Sequence, residues 1–95
     1  MKDLSVALLL DAYGALLNDK QYRILKDYYY DDLSLSEIAE NEGITRQGAH
    51  ETIKRSEQLL NFYEEKLHIL DTSSRLKSAA KVKDFDTILD IIDKI

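Results

Sequence analysis

SLSEIAENEGITRQGAHETIKR, residues 34 to 55, spells two short helices joined by a glycine-marked turn, the pattern of a helix-turn-helix. Ser34 is an N-cap residue, Glu37 stands three positions on where a capping-box side chain reaches back, and Leu33 and Ile38 occupy the hydrophobic-staple positions. Ile38 and Ala39 supply the inward face of this first helix, and Gly43 falls where a left-handed residue closes it. Thr45 then offers a hydroxyl to cap the second helix. Ala49 and Ile53, four apart, form that helix's inward face, which leaves Arg46, Gln47, His50, Glu51 and Lys54 facing outward from the helix that a DNA-reading protein inserts.

The surrounding composition favours an all-α fold. The 95 residues suffice for one compact domain, or one domain with a small appendage. Apolar residues at 44% and charged residues at 33% exclude the disordered class. There is no proline, and only Gly14, Gly43 and Gly48 interrupt helical patterning. The absence of cysteine rules out disulfides and thiolate metal sites. The apolar run from Leu4 to Leu17 has no basic lead and no small-residue cleavage site, and Asp11 breaks it short of the roughly 18 residues that a bilayer span needs. No membrane segment is expected, and the expected location is cytoplasmic.

Charge opposes the simplest reading of the motif. Thirteen basic against 18 acidic residues give −5, the wrong sign for a broad electrostatic footprint on nucleic acid. The motif does not escape this, since residues 34–60 carry 3 basic and 5 acidic groups.

Outward from the motif, a first helix is expected from about Leu4 to Leu17, with Leu9, Leu10, Tyr13, Leu16 and Leu17 among its apolar positions, either buried or meeting a partner. Asn18 is the next cap, with Gln21 completing a capping box, and opens a helix through about Tyr30. After Arg46 no breaker appears before about His68, so the motif's second helix, the fourth of the chain, should run for roughly 35 Å. Its stripe of Ala49, Ile53, Ser56, Leu60, Tyr63 and Leu67, flanked by Leu59 and Phe62, is broad enough to want more than one partner surface. Asp71 to Ser74 read as a short turn, followed by a weak helix near Arg75 to Lys81 and a last one capped at Asp84 or Asp86. Its face, Ile88, Ile91, Ile92 and Ile95, is expected to fold back along the distal half of the long helix, with contact to another subunit as the alternative. The expected organisation is a helix-turn-helix domain over residues 1–68, with the motif at 34–55, and a C-terminal helical extension over 69–95.

Four blocks then carry a resemblance: YGALLNDKQ at Tyr13 to Gln21, YYYDDLSLSEIAE at Tyr28 to Glu40, GITRQGAHETIKRSEQLL at Gly43 to Leu60, and YEEKL at Tyr63 to Leu67. In this order they resemble the YlxM family of small helix-turn-helix proteins, whose genes commonly neighbour those of the signal recognition particle. The resemblance implies an all-α fold similar to the DNA-binding region four of bacterial sigma factors, followed by a C-terminal helical extension. It also implies a regulatory role in the signal recognition particle pathway, on its GTPase, its RNA or its receptor. The tail after His68 matches no family motif. Gly48 departs from the alanine that the resemblance leads one to expect, at about 1 kcal/mol of helix propensity or in exchange for a close backbone approach.

The candidate nucleic-acid residues are Thr45, Arg46, Gln47, His50, Lys54 and Arg55. Thr45 to Gln47 would present amides and a guanidinium to phosphate while Gln47 reaches a base edge, and the other three extend the surface. The plainer reading is an ordinary cap with solvated neighbours, and Glu51 and Glu57 oppose the basic groups. Tyr28, Tyr29 and Tyr30 could stack on bases, but successive helical residues point about 100° apart, so one or two should pack inward with Leu25. Tyr13, Tyr22 and Tyr63 are expected in the core or at its edge with their hydroxyls at the surface.

Catalysis is hard to build from this inventory. His50-Glu51 opens like a zinc-protease motif, but Lys54 stands where the second histidine belongs, and His68 is isolated. No phosphate loop or activated nucleophile is present, and Asp31-Asp32, Glu64-Glu65 and the Asp84/Asp86 pair read as helix ends and solvated faces. A non-enzymatic regulator is expected, with no metal, cofactor or small-molecule substrate. Its expected partners are nucleic acid, DNA or RNA, and components of the signal recognition particle. The alternative is an acidic protein-interaction module that binds the particle's GTPase or receptor without nucleic acid. A third reading makes helix one or the isoleucine tail the contact of a homodimer.

Overall fold

The computed structural model describes residues 2–95, all of whose regular structure is helical. Six α-helices follow one another: α1 (Leu4–Tyr13), α2 (Asp19–Tyr29), α3 (Leu35–Glu42), α4 (Arg46–Leu67), α5 (Ile69–Lys81) and α6 (Phe85–Asp93), with a 3-10 turn at Gly14–Leu16 between the first two.

The cap chemistry read from sequence sets most of these boundaries. Asn18 and Ser34 both form capping boxes, with Gln21 and Glu37 returning a bond to the cap amide. Gly43 closes α3 at φ 66°, and the Thr45 hydroxyl accepts from the Gly48 amide at 2.9 Å to open α4.

α1 ends earlier than its apolar run. A β-carbon at Gly14 would lie 3.2 Å from Leu10 and from the Tyr22 ring, so this glycine admits a close crossing of α1 and α2. The chain tightens into the 3-10 turn, leaving Leu16 half exposed and turning Leu17 inward.

Four helices enclose the core. Leu10 and Tyr13 of α1, Ile24 and Leu25 of α2 and Ile38 of α3 pack around Ala49, Ile53 and Leu60 of α4, all nearly or fully shielded. α1, α2 and α3 together cover the stripe on α4 from Ala49 to Leu60, while Leu67 at its end and Phe62 on its flank stay half exposed. Buried Ser56 donates its hydroxyl to the Thr52 carbonyl at 2.7 Å, so the one polar position in the stripe leaves no orphan group.

The tail departs from the sequence expectation. There is no turn at Asp71 to Ser74: the chain breaks three residues earlier, at His68 in the left-handed region (φ 55°), and α5 then runs unbroken. Serine and threonine lower helix propensity by only tenths of a kcal/mol each, which capping and packing override. α6 closes on α5 rather than along the distal half of α4, burying Ile91 and Ala79 while Ile92 and Ile95 stay exposed. The hairpin of α5 and α6 therefore extends the molecule to 53 × 23 × 15 Å, with a radius of gyration of 16.6 Å against about 12 Å for a compact domain of this length.

Candidate nucleic-acid interface

The outward end of the motif is held from behind by two ties. Arg23 of α2 grips Glu42 of α3 through both carboxylate oxygens, at 2.6 and 2.7 Å, beside the Gly43 turn. The Arg23 hydrogen bonds, outweighing partial burial, hold the Glu42 carboxyl below its usual range. Tyr29 of α2 donates its hydroxyl to Glu57 of α4. That bond turns the Glu57 carboxylate toward α2, leaving its charge in place at the edge of the basic surface rather than across it.

Thr45, Arg46, Gln47, His50, Lys54 and Arg55 are all exposed. Among the described residues neither Arg46, Lys54 nor Arg55 has a carboxylate within 4 Å; the ion pairs are Lys2–Asp32, Arg23–Glu42, Lys26–Asp31 and Lys94–Asp90. The first turn of α4 holds no acidic residue, so no carboxylate in that turn offsets the positive end of its dipole.

These six residues do not form one line. At 100° per residue, Gln47 and Lys54 share the middle of the outward face with Glu51, whereas Arg46 and His50 turn toward the α2 side and Arg55 lies about 180° from Arg46. Each cation therefore stands apart from the others. The arrangement suits separate contacts along a groove with a backbone on either side, and it does not suit one concentrated anion site.

Gly48 has a local rationale. A β-carbon there would come within 3.1 Å of the Thr45 hydroxyl, the group that caps the helix, and otherwise meets open space. Of the tyrosine run, Tyr28 and Tyr29 pack partly against the core, while Tyr30 is exposed and donates its hydroxyl to Asp11. Partial desolvation of the hydroxyl against α1 and that carboxylate push the Tyr30 phenol up to about 12.

Sequence reasoning missed the junction at His68. His68 precedes α5 without capping it by its side chain, and three amides of the first turn find other acceptors. The Ile69 amide donates to the Tyr13 hydroxyl (3.1 Å), and those of Leu70 and Asp71 donate to the two carboxylate oxygens of Glu64 (3.0 and 3.2 Å). Tyr13 in turn donates to Glu64 at 2.5 Å. Glu64 is thus a cap supplied from the preceding helix rather than a solvated face, and the Tyr13 hydroxyl is inside the protein, not at its surface. Burial disfavours the Glu64 charge, but the Tyr13 hydroxyl and the two amides outweigh it and lower the carboxyl's pKa. Burial and the carboxylate raise the Tyr13 phenol. No Ser, Thr, Asp or Asn precedes Ile69 to cap α5, and the acceptors its amides need come from other helices, which no local pattern marks.

Among the described residues there is no group of three or more potential metal ligands and no helix long and apolar enough to cross a membrane.

With this geometry in place, the comparisons agree with the motif. The family described as "Putative helix-turn-helix protein, YlxM / p13 like" matches residues 1–94. A UPF0122 protein of Desulforamulus reducens is 49% identical over 70 residues, covering 74% of this chain and 60% of that relative, so less than two thirds of its length is matched. One from Caldanaerobacter subterraneus subsp. tengcongensis is 46% identical over 82 residues, covering 85% of this chain and 70% of the relative. One from Clostridium kluyveri is 40% identical over 90 residues, covering 95% and 77%. The chain belongs to the YlxM-like, UPF0122 family of helix-turn-helix proteins.

Proposed function

We propose that this chain is a non-enzymatic cytoplasmic regulator that docks the outward face of α4 on nucleic acid, in or near the signal recognition particle pathway. The observation that carries the reading is the set of exposed cations at the motif, Arg46, Lys54 and Arg55, free of intramolecular carboxylates on a chain otherwise rich in acid. Gln47 at the centre of the face reads a base edge, and Arg46, Lys54 and Arg55 meet phosphates around it. In this reading residues 1–68 are a unit similar to sigma-factor region four, and residues 69–95 are an extension that begins just after His68.

The test is an anisotropy titration of labelled duplex DNA and of the particle's RNA with the wild type and Arg46→Ala at low and moderate salt. Wild-type binding that weakens with salt, and weakens further in Arg46→Ala, is the expected outcome. Equal and negligible binding of both proteins to both nucleic acids would remove the mechanism.

One observation favours a second reading. Glu51 and Glu65 lie on the same outward line of α4 as Gln47 and Lys54 by helical geometry. An acidic line of this kind meets a basic protein surface, here the particle's GTPase or receptor. Pull-down of each with the wild type and with Glu51→Lys/Glu65→Lys decides it: capture that the double variant loses supports this reading, and capture it retains counts against it.

A further inference from the structure

The hairpin of α5 and α6 carries more apolar surface than it uses. On α6, Ile91 faces α5, but Phe85, Leu89 and Ile92 are 67%, 59% and 52% exposed. Their spacing of four and three places them within about 60° of arc, a single stripe on the side away from the buried contact. Across the hairpin, Ile69, Ser73, Leu76 and Ala80 make an equally narrow line on α5, interrupted by small side chains. An open groove of about 840 Å³ lies between the first turns of α5 and the last turn of α6, lined by Ile69, Ser73, Leu76 and Ile95 among others.

Charge says what covers the stripe. From Ile69 to Lys83 the hairpin holds four cations and one acid, and from Asp84 to Ile95 four acids and one cation. These opposite charges are not spent on each other within the chain: among the described residues the hairpin's one ion pair is Lys94–Asp90, at the C-terminal end of α6. Asp86 and Asp93 flank the α6 stripe on one side, and Lys77 and Lys81 flank the α5 line on the side of the same rotational sense. Two helices that face each other antiparallel bring such matching flanks together.

We infer that the hairpin is a self-association surface, in which the Phe85–Leu89–Ile92 stripe of one copy seats on the α5 line of a second copy and the reverse contact forms about the same two-fold axis. The lengths agree, because Ala80 to Ser73 and Phe85 to Ile92 span equal stretches of helix. The large Phe85 ring then lies over Ala80, and Ile92 enters the groove beside Ser73. A two-fold axis doubles every contact, so one complementary stripe and line on the same chain suffice for a closed pair. The acidic flanks disfavour a lipid surface, whose anionic headgroups repel them.

The test is sedimentation equilibrium over a wide concentration range on four proteins, each checked for wild-type helicity by circular dichroism. The wild type should move from 11.0 kDa toward twice that mass, and Leu89→Asp should stay monomeric. Lys77→Glu/Lys81→Glu should weaken pairing at least about tenfold, from repulsion of the acidic flank repeated at both contacts. Adding Asp86→Lys/Asp93→Lys to that variant restores the opposite charges and should recover the pair. A wild type that stays monomeric throughout overturns the inference, as does a fourfold variant no better than the double. So does binding of the monomeric wild type to phosphatidylserine–phosphatidylcholine vesicles, which assigns the stripe to lipid.

Discussion

The hydroxyl of Tyr13 donates to Glu64 at 2.5 Å and accepts from the Ile69 amide at 3.1 Å, so one side chain of α1 joins the end of α4 to the start of α5. These residues are 51 and 56 positions from it in sequence. The exit angle of the hairpin is therefore set by a fully buried phenol in the helix-turn-helix core.

Removing that hydroxyl leaves a part-buried amide without its acceptor and a carboxylate oxygen with one donor fewer. Tyr13→Phe should lower stability by about 1 to 3 kcal/mol in urea unfolding, and it should raise amide exchange first at Ile69. Glu64→Ala should carry the loss to the Leu70 and Asp71 amides. Unchanged exchange at all three positions would separate the junction from α5 capping.

Glu64 also makes the junction acid-sensitive. Its folded pKa is lowered, so its contribution is present above the unfolded value near 4.3 and is lost as pH falls through the folded value. Glu42 and Glu37 are lowered too, by Arg23 and by the Ser34 cap respectively, and they act with the same sign. Thermal unfolding from about pH 6 down to pH 2 should show a falling midpoint, with a shallower fall in Glu64→Gln.

At alkaline pH the sign reverses in form. Tyr30 is raised to about 12, and Tyr29 is raised as well, chiefly by burial, then by their carboxylate partners. The fold prefers the neutral phenols, so their contribution is intact below about pH 10 and is lost as pH rises through the folded values. Tyr29→Phe should flatten the alkaline limb of the same unfolding curve.

The two motif glycines should answer alanine differently. Gly43 sits at φ 66° with nothing within 4 Å of a β-carbon, so Gly43→Ala should destabilise by about 1 to 2 kcal/mol from backbone strain alone. Gly48 is ordinary helix, where alanine gains about 1 kcal/mol of propensity but presses on the Thr45 hydroxyl at 3.1 Å. Because Thr45 is exposed and can yield, Gly48→Ala should stabilise by less than the full gain. Combining it with Thr45→Ala, in a double-mutant cycle by chemical denaturation, should expose the remainder.

Where order comes from local chemistry it was legible in the residues themselves. Asn18, Ser34, Gly43 and Thr45 each announce a boundary through their own side chain or their lack of one, and the buried face of α4 follows from helical period. The His68 junction was not legible, because its acceptors are Tyr13, 56 positions away, and Glu64 on the preceding helix, neither of them at a cap position. The placement of α6 was hidden for a related reason: its apolar arc is wide enough for two neighbours, and the pattern does not say which one it meets first. Of the candidate surface, exposure could be read from periodicity. That Glu57 is drawn away by Tyr29 could not, since it depends on how α2 crosses α4.

α4 runs for 22 residues, about 33 Å at 1.5 Å per residue, with Arg46 at one end and the hairpin junction at the other. Such a rod works as a spacer: a ligand gripped at its N-terminal tip and a body held at its C-terminal end stay a full helix length apart. The two ends can be occupied together without colliding.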